Sequence, residues 1–161
     1  MGVQKDYSKA LEYYTKAANL GDGWSNNRVG EMYRDGKGTT INYGLSVKHF
    51  LQAAYSGNLF AILNIVSLYA SKNIQDEDVF VSAINLLTNI ANSGNPDAAK
   101  RLGNLYYDGV GVQKDYSKAL EYYTKAANLG DEVSRVRLAE MYRDGKGTKI
   151  DYNLSNYWFT R

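Results

Sequence analysis

Gly2–Asp22 reads GVQKDYSKALEYYTKAANLGD, and the same 21 letters return as Gly111–Asp131, 109 positions later. The match resumes downstream, where EMYRDGKGT at Glu31–Thr39 comes back at Glu140–Thr148 with the same offset. Self-similarity at a fixed offset marks an array of stacked units rather than one globular core. A shorter period lies inside the long one. The pairs Ala17-Ala18, Ala53-Ala54, Ile90-Ala91 and Ala126-Ala127 each precede a glycine, and those glycines (Gly21, Gly57, Gly94, Gly130) are 36, 37 and 36 residues apart. The expectation is one repeat domain over residues 1–161, with units at about 1–22 (partial), 23–58, 59–94, 95–131 and 132–161 (partial). The letter-for-letter copy has two accounts: a recent tandem duplication without functional message, or two copies of one binding surface at a fixed spacing.

The unit from Asn95 to Gly130 shows what each repeat builds. Asn95 is placed to cap a helix that Pro96 opens, at a position where a missing N–H costs nothing. Ala98, Leu102, Leu105 and Tyr106 then follow at i, i+4, i+7 and i+8, one apolar stripe of a helix. Gly103 sits beside that stripe, where a missing side chain lets a second helix come close. A glycine-broken loop, Asp108 to Lys114, leads to Asp115 as the next cap, and Ala119, Tyr123, Ala126 and Ala127 share a face of the second helix. Gly130 stands where that helix needs a left-handed residue to end. Two amphipathic helices of this kind can bury their faces only against each other and against the next pair.

The stretch Leu102–Gly130, LGNLYYDGVGVQKDYSKALEYYTKAANLG, resembles a Sel1-like repeat, a relative of the tetratricopeptide repeat with a longer loop between its helices. The order that carries the resemblance is a small residue, Leu-Gly, Tyr, Gly-x-Gly, Asp, Ala, an aromatic, Ala-Ala and Gly. Gly23 to Gly57 keeps Tyr33, Gly36 and Gly38, and Glu132 to Arg161 keeps Tyr142, Gly145, Gly147, Asp151 and Trp158-Phe159. The resemblance implies an all-α, right-handed solenoid of stacked helical hairpins. It also implies a protein-interaction scaffold, since similar proteins serve as adaptors in signalling and quality control and, in bacteria, as envelope or host-contact proteins.

The unit from Leu59 to Gly94 departs most. Val66 replaces the packing glycine, and the loop Ser71–Glu77 has no glycine and is expected to hold the extra residue behind the spacing of 37. At the first partial unit, Ala10, Tyr14 and Ala17 are expected to face no partner, either because the chain is a piece of a longer array or because that end packs on another chain.

Composition narrows the chemistry. A formal net charge of +2 with 22% charged residues offers no polybasic footprint for nucleic acid or an anionic membrane. No run approaches the roughly 18 consecutive apolar residues of a membrane span, and Met1 leads straight into a repeat. Cysteine is absent, which removes thiol catalysis, disulfides and the link of some cysteine-rich relatives to β-lactam binding. The single histidine, His49, holds the slot of Tyr13, Tyr122 and Trp158 and reads as a packing residue. No H-E-x-x-H, Cys/His cluster or carboxylate box predicts a metal or cofactor, and no catalytic residue is expected. Gly-Lys-Gly-Thr at Gly36–Thr39 and Gly145–Thr148 lacks the full phosphate-loop spacing. Asp6, Asp78, Asp115 and Asp151 read as helix caps, Glu12–Lys16 and Glu121–Lys125 as solvated helical pairs, and most tyrosines as repeat-equivalent packing residues.

A binding face is expected on the first helix of each hairpin, where stacked units present an extended concave groove. With positions 25, 29, 32, 33 and 36 turned inward, the opposite arc holds 27, 31 and 34, with 28 on its flank. Across units these give the ladders Asn27, Leu63, Lys100, Val136; Arg28, Asn64, Arg101, Arg137; Glu31, Ser67, Asn104, Glu140; and Arg34, Ala70, Tyr107, Arg143. The middle is small and apolar and the rim charged, the layout of a protein-binding site, though Arg28–Glu31–Arg34 and Arg137–Glu140–Arg143 are equally plain surface pairs. The candidate partner-binding residues are Arg28, Glu31, Arg34, Leu63, Asn64, Ser67, Lys100, Arg101, Asn104, Tyr107, Val136, Arg137, Glu140 and Arg143. The functional expectation is a non-catalytic scaffold or adaptor binding a peptide or protein. Its alternatives are an immunity or inhibitor protein against an effector toxin, and a structural array that self-associates through uncapped ends. No nucleic-acid partner and no membrane insertion is expected.

Overall fold

A computed structural model describes residues 6–161; the opening residues of the first duplicated copy and of the first partial unit, 1–5, lie outside the described residues. Among the described residues the chain is all helix and turn, with no strand. The order is α1 (Tyr7–Asn19), α2 (Gly23–Asp35), α3 (Tyr43–Tyr55), α4 (Leu59–Ala70), α5 (Glu77–Asn92), α6 (Pro96–Asp108), α7 (Tyr116–Asn128), α8 (Glu132–Asp144) and α9 (Tyr152–Thr160). The contacts gather into two compact units, Met1–Leu86 and Leu87–Arg161. In the first, α2 pairs with α3 and α1 packs on α2; in the second, α6 pairs with α7, α7 with α8 and α8 with α9.

Each helix starts on a side-chain cap. Asp6, Asp22, Asn42, Asn58, Asn95, Asp115, Asp131 and Asp151 each accept a hydrogen bond from the backbone N–H three residues on, an arrangement worth about 1 kcal/mol per helix. The second helices end at glycines such as Gly130, whose φ of 95° is open to glycine at little cost. Pro96 opens α6 as expected.

Helix pairing turns on one small-to-large match. A Cβ added to Gly103 would lie 2.6 Å from the ring of Tyr123, and one added to Gly30 would lie 2.6 Å from that of Phe50. The missing side chain lets the aromatic ring lie directly on the partner helix, so Phe50 and Tyr123 are 0% and 1% exposed. Ala139 holds the same register position in α8, and Phe159, the counterpart of Tyr123, is 50% exposed. Tyr123 joins Ala119, Ala127, Leu138, Ala139, Met141 and Trp158 in the core of the second unit.

Two expectations for the unit from Leu59 to Gly94 are corrected. Asp78 does not cap α5: it lies in the helix's first turn, and Asp76 accepts the N–H of Val79 at 3.1 Å. The extra residue is not in the loop either. α5 has 16 residues against 13 in α3 and α7, so the added length sits in the helix, and the residues between α4 and α5 are only 71–76. That loop still needs a left-handed residue after α4. Lys72 supplies it with a φ of 61°, the sole non-glycine residue described with positive φ.

Candidate functional site

The candidate residues fall into two groups, one in each compact unit. In the first unit they bind one another. Arg28 donates to Glu31 at 2.6 Å, Asn27 donates to the same carboxylate at 3.1 Å, and Asn64 donates to Asn27 at 3.2 Å. Arg34 donates to Asn64 at 2.7 Å and to Asp35 at 2.6 Å, and that guanidinium holds the Asp35 carboxyl below the usual carboxylate range. The network ties α2 to α4. It also corrects the placing of Asn27 on the open arc: Asn27 is 5% exposed, because position 27 points toward the next first-type helix. Leu63 and Asn64 are half-buried at this joint, and Ser67 is exposed.

In the second unit, packing claims part of the candidate set. Lys100 bridges Asp97 at 3.1 Å and Asp131 at 3.0 Å, joining α6 to the cap of α8. Arg101 donates to Asp97 at 2.8 Å. Asn104 accepts the Tyr123 hydroxyl at 2.7 Å, and burial pushes that hydroxyl's pKa up to about 12.

Of the rest of this group, Arg137 lies over Tyr107. The Tyr107 ring meets Tyr116 at 5.1 Å and Tyr123 at 6.3 Å between centroids, both edge-on. Arg137 lies 5.6 Å and Lys146 4.9 Å from the ring centre, and Lys146 also donates to the Tyr107 hydroxyl. Val133, Val136, Arg137 and Glu140 line an open depression of about 340 Å³ on α8. Arg137 pairs with Glu140 at 3.2 Å and Arg143 with Asp144 at 2.7 Å, in both cases with an exposed guanidinium. An aromatic ring with cations around it, beside exposed valines, can take up an apolar side chain and a carboxylate together.

Lys146 and Val133 were absent from the sequence candidates. Lys146 reaches Tyr107 because its loop is pressed against the start of α7. A Cβ at Gly147 would fall 2.3 Å from the Tyr116 carbonyl oxygen, and Ser117 donates to the Gly147 carbonyl at 3.4 Å. The tight Gly-x-Gly spacing was the available signal for that approach.

His49 occupies the packing slot expected of it. Its Nδ1 lies 2.9 Å from the buried Asn26 Oδ1, its ring stacks on Tyr33 with centroids 6.0 Å apart, and burial, then the charge of Lys48, lowers its pKa. Among the described residues no group of three or more His, Cys, Asp or Glu is arranged to hold a metal ion, and no helix is long and apolar enough to cross a membrane.

Comparison with known proteins gives the architecture its context. Solved structures of similar fold include a protective antigen of uropathogenic Escherichia coli with an SLR fold (31% identity, TM-score 0.72), over 98% of this chain and 34% of that one. A Sel1 repeat protein of Oxalobacter formigenes is 28% identical with a TM-score of 0.73, over 99% of this chain and 65% of that one. The chitin synthase regulator SKT5 of Saccharomyces cerevisiae is 32% identical over 125 residues, which is 74% of this chain and 18% of that protein. An uncharacterized protein of Neisseria meningitidis is 26% identical over 121 residues, 75% of this chain and 25% of that protein. The chain thus spans a quarter or less of the length of these curated relatives. The Sel1 repeat model matches residues 1–22, 25–58, 96–131 and 133–161 and passes over the unit that departs from the pattern. With helical hairpins repeating at that period and these matches over most of its length, the chain is an all-α solenoid that belongs to the Sel1-repeat family.

Proposed function

We propose that this chain is a non-catalytic scaffold that binds a peptide or protein partner on the side of its first-type helices turned away from the hairpin core, the side expected to line the concave groove, with Tyr107, Arg137, Glu140 and Arg143 as the main contacts in the second unit. Sel1-repeat proteins generally mediate protein–protein interaction, and their fold is typically a non-catalytic scaffold. The observation that carries the reading is Tyr107, an aromatic ring on an otherwise polar helix face with Arg137 and Lys146 around it. Tyrosine and arginine are the residue types that most often dominate binding energy at protein interfaces. Lys100 and Asn104 act in this reading as supports that hold α6 against the cap of α8 and against α7, and Arg101 is paired with Asp97 along α6. The face in the first unit contributes Arg28, Ser67 and the edge of Arg34, whose polar groups are mostly paired within the network. The lone histidine and the scattered, paired carboxylates support a binding role over a catalytic one.

Selection from a displayed random-peptide library tests this. The expected peptides pair an acidic residue with an aliphatic or aromatic one and lose at least tenfold in affinity for the doubly reversed variant Arg137→Glu/Arg143→Glu. Both side chains are exposed, so the variant's circular dichroism should match the parent's. Peptides that bind parent and variant equally would remove the proposed face.

A further inference from the structure

Lys146 is the odd cation of the second unit. Lys100, Arg101, Lys125 and Arg135 are likewise half-buried, and each of them pairs with a carboxylate. Among the described residues of that unit, Lys146 is the one half-buried cation that forms no ion pair. Its ammonium donates to the neutral Tyr107 hydroxyl instead, while Arg143 holds the nearby Asp144 carboxylate at 2.7 Å. The loop sequence does not dictate this choice. In the letter-identical loop of the first unit, Lys37 is exposed and bridges Asp35 at 3.0 Å. A half-buried charge with only a neutral acceptor is incompletely compensated, so an incoming anion gains more here than at an exposed lysine.

The donors that remain indicate which anion. An ammonium carries three N–H groups, and Tyr107 accepts one of those of Lys146, which leaves two. The Tyr107 O–H, whose oxygen accepts that bond, keeps its own hydrogen to donate. A second ammonium stands close by: Lys114 lies 5.8 Å and Lys146 5.7 Å from the centre of the same Tyr116 ring. Lys114 is exposed, and its flexible stem lets it swing toward Lys146. A carboxylate would bring one charge and two oxygens to these donors. A phosphate monoester brings about −1.5 to −2 charges and three strong acceptor oxygens. Every part of this cluster lies between Tyr107 and Lys146, with helices on both sides of it in the chain.

We propose that Lys146, Lys114 and the Tyr107 hydroxyl receive a phosphorylated serine or threonine of the protein partner. The proposal rests on the partner-binding reading of the Tyr107 face and adds the class of side chain that this face takes.

The test follows the whole chain, labelled with ¹⁵N, as the pentapeptide Ala-Leu-phosphoserine-Leu-Ala is added at constant ionic strength, beside its aspartate and serine counterparts and inorganic phosphate. Saturable shifts are expected at Tyr107, Tyr116, Ser117, Lys146 and Gly147, with the phosphopeptide bound at least about fivefold more tightly than the aspartate peptide. Lys146→Met, which keeps the apolar stem, should weaken phosphopeptide binding about tenfold. Tyr107→Phe, which keeps the ring, should weaken it as well, and Lys149→Met, exposed in the same loop, should leave it unchanged. Circular dichroism should match the parent's in each variant. Equal binding of the aspartate peptide, equal loss from Lys149→Met, or no saturable shift would overturn the proposal. Inorganic phosphate bound more tightly than the phosphopeptide would also overturn it, by giving the site to a free anion. The peptide selection uses unmodified peptides and reads Arg137 and Arg143, so selected peptides that bind while the phosphopeptide does not would remove this site and leave the scaffold reading standing.

Discussion

Tyr123 and Gly103 behave as one object: a ring that fits only because a side chain is missing opposite it. Gly103→Ala would set a methyl 2.6 Å from that ring and should destabilise the second unit by about 1–3 kcal/mol, the range for overpacking, read by urea unfolding. Alkaline titration should report the same burial. The unfolded tyrosine releases its proton near pH 10, while the native one holds it to about 12. Between those values the native state binds more protons, so stability falls as pH rises. Tyr123→Phe should shallow that slope by up to about 1.4 kcal/mol per pH unit; an unchanged slope would mean that the hydroxyl is not held by the fold. Lys72 gives a further case. Its left-handed φ of 61° costs a side-chain-bearing residue about 1–2 kcal/mol, while glycine loses more chain entropy on folding. Lys72→Gly should therefore raise stability slightly, by under about 1 kcal/mol, as a shift to higher urea midpoint. The glycine notch was legible in the sequence because it breaks an apolar stripe; the left-handed lysine was not, because nothing in its side chain announces that conformation.

At the scale of the element, two helices of one sequence separate propensity from context. With caps and letters identical, any difference in their stability comes from neighbours. Tyr123→Ala should cost about 3–5 kcal/mol, as large aromatic truncations in a core do, whereas Tyr14→Ala should cost under about 1 kcal/mol. Amide exchange should likewise be slower in α7 than in α1. Equal costs would show that local sequence, and not packing, holds these helices. The hairpin pattern, the caps at Asp6, Asn95, Asp115 and Asp151 and the packing faces of α6 and α7 could all be read from periodicity. The start of α5 could not. Asp76 and Asp78 are both competent caps, and the choice between them is made by where Phe80 and Ala83 must lie to be buried. The burial of Asn27 was hidden for a related reason. A helical wheel knows the helix's own core but not the next helix, which places Asn64 within 3.2 Å of it.

For the whole molecule, the repeat period pointed to the architecture and the Leu102–Gly130 motif carried the resemblance to the family, while the proposed binding face was legible only as a set of register positions. The ladders grouped residues by angle. Contacts then divided them into those that hold hairpins together, such as Lys100 and Asn104, and those left at the surface around Tyr107. Charge alone could not have made that division, since Lys100, Arg101 and Arg137 look alike as letters. The central claim, a partner-binding face on the first-type helices, is tested most directly by photo-cross-linking in cells that produce the protein. A benzophenone amino acid would replace the exposed Arg143 of α8, and in a parallel sample the exposed Lys48 of α3. The account predicts a discrete adduct from position 143 that is absent from position 48 and lost with Arg137→Glu. The same adducts from both positions, or none from 143, would contradict it.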